Sequence, residues 1–566
     1  MTLPQPSPVT QTSAAQQEKQ TTPSSQLERG ILLLSTGLVG LALLAFIGYF
    51  VVYTNYAVHL FQFPFDYDQG EGFELVDTLM FSKGQWPYRD INSYPFYSSN
   101  YPPLYHLVVA PLVWLFGPQY WTGRLVAYLG TLVTATTIGY AVQRATRRWW
   151  LSTLCGLTFL ASNYVYHVGP LFRQHLFMVM LETLAIVILT IVIQREEHDG
   201  KRHNKGLLLV MVLLLAAGYT KQLAYATVAA VFLFLFLRQP KRAVLWAVPF
   251  AAVTGIIFAA INLATDGHWL TNTVTANINP FIPDQALGLF RQWFTLHTMI
   301  TVAALLYALY QLYFERLSAY TVWFVITLLN SVTAGKWGAG ESYFVTTIAA
   351  SCILTGLALG RTLQWTEERG GALRLATTMI VPILFLWQAN SVFHMPTDTP
   401  LLRSIAATLG RPTESHIAPQ TSCSAPRPPE PIPYVDAAGV GLLGRPPTAQ
   451  DTAAGMAIVT HILEGETAAF SEEAGFNLYA GRDVVTNPTQ LLNLYQNGQA
   501  DLTEMVRMLD QVAFDTVILR AQFYPPPVLD AIGQRYETTD LVTMNGFVYC
   551  IMKPRQSEAT SFNSQQ

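Results

Sequence analysis

Long apolar stretches alternate with short polar ones over most of the chain. Residues 30–53 form the first apolar stretch, and 206–219 and 222–237 are two later ones. Their length and apolarity are typical of membrane-spanning helices. The pattern therefore predicts a mainly α, polytopic helical membrane protein.

The composition supports this prediction. Of the 566 residues, 51% are hydrophobic and only 12% are charged, whereas soluble domains carry about 25% charged residues. The formal net charge is −3 and no basic block is present, which argues against a nucleic-acid partner. None of the 4 cysteines forms a CxxC pair, so a cysteine zinc site is not expected.

Basic loops set the predicted orientation, because Arg and Lys in short loops mark the cytoplasmic side. The basic loops fall on one side only if residues 103–117 do not cross the membrane. Pro102, Pro103 and Pro111 favour an interfacial or re-entrant helix there. About eleven spans remain, with a cytoplasmic N-terminus and an external C-terminus: 30–53, 121–142, 149–167, 172–193, 206–219, 222–238, 242–263, 296–314, 318–335, 342–360 and 374–394.

The predicted spans also divide the chain into parts. After the last span, Pro, Ser and Thr become frequent and then give way to a mixed pattern of short strands and helices. In that region we predict strands at 456–460, 516–520 and 547–552 and helices at 488–510 and 526–536. The predicted parts are a disordered cytoplasmic tail (1–28), a transmembrane domain (29–395) with its first external loop at 54–120, a Pro-rich linker (396–450), a small soluble external α/β domain (451–556) and a tail (557–566).

Three carboxylates stand out in the first external loop. Asp66, Asp68 and Glu71 lie within FDYDQGEGFE (65–74), interleaved with aromatic residues. A glycosyl transfer to a hydroxyl needs a carboxylate that takes the proton. A second carboxylate can position the acceptor or hold a divalent metal. The alternative is a solvated loop whose acids face water, and the interleaved aromatic side chains argue against it.

Basic residues also fall at the predicted external ends of the helices. A phosphate leaving group needs positive charge where its negative charge develops, and Arg124, Arg173, Lys221 and Lys336 are candidates. The alternative is that these side chains snorkel to the membrane surface. Glu182 lies in the middle of a predicted span, where an acid is either functional or a hydrogen-bonded structural group.

The loop motifs and their order resemble a known family. DYDQGEG, KGQWPYRD, NYPPLY, LFG and GRLVAYLGTL follow one another over roughly residues 30–240. This order resembles the polytopic GT-C glycosyltransferases. More narrowly, it is similar to the bacterial family-39-like branch, relatives of the protein O-mannosyltransferases and of the lipid A aminoarabinose transferase. Beyond residue 240 the resemblance is loose, apart from GKWGAGESY.

The resemblance implies an enzyme of a bacterial plasma membrane. Such a glycosyltransferase takes a sugar from a polyprenyl-phosphate carrier at the non-cytoplasmic face, usually with inversion. Asp68 is the first choice for the general base and Asp66 the second, with Glu71 positioning the acceptor or a metal. The family often has an adjacent Asp-Glu pair, whereas this sequence has Asp68-Gln69-Gly70, which leaves the identity of the base open.

The resemblance also implies which residues bind the substrates. Lys221 and Lys336, with Arg124 and Arg173 as weaker candidates, would hold the carrier phosphate. No cofactor is required, a divalent cation is left open, and the acceptor is not specified. A secondary transporter and a non-catalytic membrane scaffold remain as alternatives. Further acceptor or donor contacts are expected from Tyr101, His175, Gln222, Glu341 and Tyr343.

Overall fold

A helical bundle forms most of the protein. The computed structural model describes residues 23–395, 399–411 and 444–555. The helices of the bundle are α1 (Pro23–Gln62), α2 (Glu71–Ser82), α3 (Leu104–Phe116), α4 (Tyr120–Thr146), α5 (Trp149–Ala161), α6 (Asn163–Val168), α7 (His175–Asp199), α8 (Asn204–Thr220), α9 (Tyr225–Arg238), α10 (Pro240–Ala264), α11 (His268–Thr273), α12 (Pro283–Phe314), α13 (Ala319–Asn330), α14 (Val345–Arg369) and α15 (Gly371–Ser391). A short helix, α16 (Pro400–Thr408), follows the bundle.

Apolar helices account for each of the predicted spans. All eleven predicted segments overlap one of them, as expected where the backbone must satisfy its own hydrogen bonds in lipid. By length and composition, 7 helices in the described part of the chain are able to cross a membrane, namely α1, α4, α7, α10, α12, α15 and α14 with the short turn before it. Shorter apolar helices are α3, α5, α8, α9 and α13.

Helix α3 is the segment that the sequence predicted not to span. It has 13 residues, which corresponds to about 20 Å of helix, well short of the roughly 30 Å of a bilayer core. Pro103 precedes it and Gly117 ends it. It packs against α2, and buried residues of the two helices, including Leu75 and Tyr105, form one apolar cluster.

The smaller part of the protein has an α/β fold. Its strands pair in the order β1-β2-β4-β3, with β1 parallel to β2 and the other neighbours antiparallel. The helices are α17 (Ala449–Leu463), α18 (Ala474–Tyr479), α19 (Pro488–Gln496), α20 (Thr503–Asp510) and α21 (Pro526–Arg535). The strands are β1 (Phe470–Ser471), β2 (Val517–Leu519), β3 (Tyr536–Met544) and β4 (Phe547–Pro554).

Some predicted elements of this part are confirmed and others are wrong. The strands predicted at 516–520 and 547–552 correspond to β2 and β4, and the helix predicted at 526–536 corresponds to α21. The strand predicted at 456–460 is wrong, because it lies inside α17. That helix begins with a capping box between Thr448 and Asp451. The single helix predicted at 488–510 is two helices, α19 and α20.

The predicted boundaries of the flexible parts differ from the described structure. Helix α1 begins at Pro23, inside the predicted tail 1–28, and α16 lies inside the predicted linker 396–450. Residues 1–22, 396–398, 412–443 and 556–566 lie outside the described residues.

The α/β part packs directly on the first loop of the bundle. Phe96 pairs with Thr486 in an isolated parallel bridge, and Asn487 donates from Nδ2 to the Ser98 carbonyl at 3.4 Å. Gln490 donates to the carbonyl of Asn272, in α11, at 3.0 Å. Ile91, Phe96 and Ala276 also share one buried apolar cluster with residues of the α/β part. The two parts therefore meet over the ends of the bundle helices that carry the predicted chemistry.

Candidate active site

A cavity of about 730 Å³ lies where these helix ends meet the α/β part. Its wall is formed by the loop after α1, by α2, by the α6–α7 and α8–α9 connections and by the segment before α14. Of the residues predicted from the sequence, it brings together Asp68, Tyr101, Arg173, His175, Lys221, Glu341 and Tyr343. These residues come from separate loops, so the loops share one end of the bundle.

Asp68 is held in the cavity wall by a cation. Arg173 donates from Nη2 to Asp68 Oδ2 at 2.8 Å and also to the carbonyl of Gln69. The side chain of Asp68 is 13% exposed and that of Arg173 is 18% exposed, so both remain accessible from the cavity. Gly70, at φ 95°, provides the left-handed turn that ends this loop and starts α2.

Glu74 is a second acid of the cavity, and the sequence analysis missed it. It is almost fully buried, and Gln174, with its amide oriented to donate, lies 3.0 and 3.2 Å from the two carboxylate oxygens. Burial raises its pKa to about 7, although Arg173 and Lys221 oppose this shift. The acids at 71, 74 and 77 recur every three residues, a helical spacing that was available in the sequence.

Lys221 is a buried cation close to Glu74. Its ammonium group lies 3.1 Å from His175 Nδ1 and 4.4 Å from the centre of the Tyr101 ring. Burial lowers its pKa to about 7, and the nearby Glu74 carboxylate partly opposes this. An anionic phosphate in the cavity would therefore favour the charged form of this lysine.

Arg124 does not line the cavity, because it forms a buried pair with Glu71. Its Nε and Nη2 donate to the two Glu71 oxygens at 2.9 and 2.8 Å. Three carbonyls, of Leu60, Phe63 and Phe65, accept its remaining hydrogen bonds at 2.5, 2.6 and 2.8 Å. This geometry assigns both residues to holding the first loop, which differs from the phosphate and acceptor roles expected for them.

Asp66 also lies outside the cavity wall. Its oxygens accept from the Gly72 N–H at 2.6 Å, the Tyr120 hydroxyl at 2.7 Å and the Gly475 N–H at 3.1 Å. Both glycines approach so closely that a Cβ at either would lie under 3.0 Å from the Asp66 carboxylate. Both oxygens of Asp66 therefore take part in holding the loop.

Two further predicted contacts are directed away from the cavity. Lys336 donates from Nζ to the Asn277 carbonyl at 2.8 Å. Gln222 donates from Nε2 to the carbonyls of Asn100 and Thr273, both at 3.0 Å. Neither residue is part of the cavity wall, and both connect loops that surround it.

Glu182 is a structural acid inside the bundle. Its carboxylate accepts from the Thr227 hydroxyl at 2.6 Å and the Thr346 hydroxyl at 2.8 Å. Trp323 in turn donates to the Thr227 hydroxyl at 2.9 Å. The side chain thus joins α7, α9, α13 and α14, which favours the structural alternative for this residue.

Within the described residues, one group has three metal-ligating side chains close together: Glu74, Asp77 and His106, with ligand atoms within 4.8 Å of one another. His106 Nε2 lies 3.3 Å from Glu74 Oε2. Asp77 also accepts from the hydroxyls of Tyr97 and Ser99 at 2.8 and 2.5 Å.

The α/β part contributes residues that sequence analysis did not select. Asn487, Thr489 and Phe523 line the cavity together with the loops of the bundle. Their docking against the bundle is a long-range contact, which local sequence patterns do not reveal. Residues of both parts of the chain therefore form the cavity wall.

The fold of the chain is similar to that of solved membrane-protein structures. The chain is similar to the crystal structure of ArnT from Cupriavidus metallidurans in the apo state, with a TM-score of 0.53 and 14% identity over 89% of this chain and 98% of that chain. It is also similar to the same organism's ArnT bound to undecaprenyl phosphate, with a TM-score of 0.52 and 15% identity over 91% of this chain and 98% of that one. No protein-family model and no curated protein matches the sequence.

Proposed function

We propose that this chain is a GT-C type glycosyltransferase of a plasma membrane, which moves a sugar from a polyprenyl-phosphate carrier to an acceptor at the non-cytoplasmic face. The observation that carries the proposal is one cavity at one end of an apolar bundle. Its lining includes the acids Asp68 and Glu74 and the cations Arg173 and Lys221. An acid can take the proton of an acceptor hydroxyl, and cations can stabilise the negative charge of a phosphate leaving group.

Asp68 is the proposed general base. The acceptor oxygen attacks the anomeric carbon, the bond from that carbon to the phosphate oxygen breaks, and the acceptor proton passes to Asp68. In the described part of the chain, Arg173 bonds Asp68 through Oδ2, which leaves Oδ1 to accept the proton. Attack from the side opposite the leaving group gives inversion.

Arg173 and Lys221 are the proposed phosphate contacts. Breaking the bond to the anomeric carbon places a full negative charge on the released polyprenyl phosphate. Preorganised cations in a partly buried site stabilise such developing charge strongly. Glu74 takes the acceptor-positioning role that the sequence analysis gave to Glu71, because it lines the cavity and Glu71 does not.

The lipid carrier is supported by two observations. The cavity opens at the ends of apolar helices, where a polyprenyl chain can remain in the bilayer. The similar ArnT structure is described as bound to undecaprenyl phosphate. The proposed orientation follows the basic loops, with a cytoplasmic N-terminus and an external α/β part.

The test uses the full-length protein in liposomes with a panel of polyprenyl-phosphate sugars, with and without EDTA. We expect release of free polyprenyl phosphate from at least one donor and no turnover of nucleotide sugars, and the comparison with EDTA decides whether a divalent cation takes part. Lys221→Ala should lower kcat/KM for the donor at least about tenfold, a loss of about 1.4 kcal/mol. Lys83→Ala is the matched control, because Lys83 is exposed at the end of α2, outside the cavity wall. No release from any donor, together with saturable uptake of a solute, would favour the transporter alternative.

A further inference from the structure

Two aromatic rings from different parts of the chain meet at the cavity. Trp337 belongs to the segment between α13 and α14, and Phe523 belongs to the loop after β2. Their ring centroids are 6.5 Å apart at an interplanar angle of 82°. Both side chains are half-buried and line the cavity. Neither is part of the hydrophobic clusters formed by the described residues.

A buried carboxylate holds the loop of Phe523. Glu472 accepts main-chain N–H groups from Arg520 at 2.5 Å, from Ala521 at 2.8 Å and from Phe523 itself. Gln522, at φ 57°, bends the loop around this carboxylate. Burying an acid is costly unless it is fully hydrogen-bonded. The loop therefore has a fixed shape before any ligand binds.

Hydrogen bonds also hold the main chain at Trp337, on the bundle side of the cavity. The Trp337 main-chain N–H donates to the Pro280 carbonyl at 2.9 Å, and its carbonyl accepts from Asn279 Nδ2 at 2.9 Å. Gln285 Nε2 donates to the carbonyls of Lys336 and Ala339, both at 3.0 Å. The main chain that carries each ring is thus preorganised, which lowers the entropy cost of binding.

An uncharged polar side chain lines the same cavity as the rings. A hydrogen bond of 2.7 Å between the hydroxyls of Thr486 and Tyr524 ties the Phe523 loop to the start of α19. Thr489, at that helix start, lines the cavity, whereas the Asn487 amide is already bonded to the Ser98 carbonyl. Aromatic faces pack on the C–H faces of pyranose rings, and hydroxyl groups bond their hydroxyls. This combination suits a neutral sugar.

We infer that Trp337, Phe523 and Thr489 form a binding subsite for a neutral, hexose-containing glycan, so that the acceptor is a carbohydrate. This inference rests on the proposed function, because only a transferase needs an acceptor. The α/β part packs on the first loop at one end of the bundle, so we expect an acceptor to reach these rings from the aqueous side. The carrier phosphate contacts the cations at the helix ends.

The test measures binding without any donor. Full-length protein in nanodiscs is titrated with neutral manno-, gluco- and galacto-trisaccharides and, in parallel, with a Ser/Thr-containing peptide, by saturation-transfer NMR and calorimetry. We expect one trisaccharide class to bind, and Trp337→Ala and Phe523→Ala to weaken its Kd at least about tenfold. The conservative variants Trp337→Phe and Phe523→Tyr should retain binding within about threefold and show that the subsite still folds. Trp387→Ala is the control, because Trp387 is exposed on α15 outside the cavity.

Each outcome decides one question. Trisaccharide binding that is lost only in the two alanine variants supports the subsite. Equal binding by wild type and both variants, or no trisaccharide binding by wild type, overturns it. Peptide binding that depends on the two rings would show that the subsite binds a peptide, and it would also overturn the proposed glycan subsite. Ring-dependent trisaccharide binding without release of polyprenyl phosphate from any donor keeps the subsite and rejects the transferase.

Discussion

The Asp66 carboxylate accepts a hydrogen bond from the main-chain N–H of Gly475 at 3.1 Å, across 409 residues of sequence. The same oxygen accepts from the Tyr120 hydroxyl of α4 at 2.7 Å. One buried carboxylate thus joins the bundle, the first loop and the α/β part. Asp66 stands two residues before Asp68, so this contact links docking of the α/β part to placement of the proposed base.

Gly475→Ala should disturb this contact. A Cβ at Gly475 would lie 2.4 Å from the Tyr120 hydroxyl oxygen and 2.5 Å from Asp66 Oδ2. Overpacking of this kind costs about 1–3 kcal/mol, so we expect a lower unfolding temperature and slower turnover. Gly533→Ala is the control, since a Cβ there meets no atom within 4 Å. Equal unfolding temperatures and rates for the two variants would contradict the joint role of Asp66.

Arg124→Gln separates a structural role from a phosphate-binding role. Removing one partner of a buried ion pair costs about 3–5 kcal/mol, and Arg124 and Glu71 are both fully buried. We expect a large drop in unfolding temperature in detergent. Arg291→Gln is the control, because Arg291 is exposed, and it should leave the unfolding temperature unchanged. A stable Arg124→Gln protein with weakened donor binding would restore the phosphate role expected from the sequence.

Glu74 should make stability depend on pH. Burial raises its pKa from 4.5 to about 7, so the folded state binds this proton more tightly than the unfolded state. This stabilisation is complete below about pH 4.5 and is lost as the pH rises to about 7; it amounts to at most about 3 kcal/mol. The Glu74→Gln variant has no carboxyl at this position, so its stability does not fall with pH for this reason.

The measurement compares unfolding temperatures at pH 5, 6 and 7. The unfolding temperature of Glu74→Gln minus that of wild type should rise with pH across this range. Glu537→Gln, at an exposed position of β3, should show no such trend. A difference for Glu74→Gln that stays constant from pH 5 to 7 would mean that the Glu74 carboxyl has an ordinary pKa.

The sequence predicted local features of the site better than it predicted which side chains contact one another there. Apolar periodicity located the spans, and the interleaved acids and aromatics indicated the loop of Asp68. Arg124 was expected to bind phosphate because it lies at a predicted external helix end. Its partner Glu71 lies 53 residues earlier, a distance at which sequence spacing does not reveal the pair. Helical spacing from Glu71 would have selected Glu74.

The α/β part shows the same limit. The run at 456–460 is short and apolar, which fits a strand and a buried helix equally well. Only its cap and its burial on one side identify α17. Phe523 could not be selected from the sequence, because its role depends on docking against Trp337, 186 residues earlier along the chain (523 minus 337).

The central claim is tested most directly by Asp68→Asn, which keeps the shape of the side chain and an oxygen for Arg173 but removes the base. With saturating polyprenyl-phosphate sugar, we expect the rate of polyprenyl phosphate release to fall about 10²–10⁴-fold, with an unchanged unfolding temperature. Asp90→Asn, in the same loop but exposed, should retain the wild-type rate. Full turnover by Asp68→Asn would contradict the assignment of Asp68 as the general base.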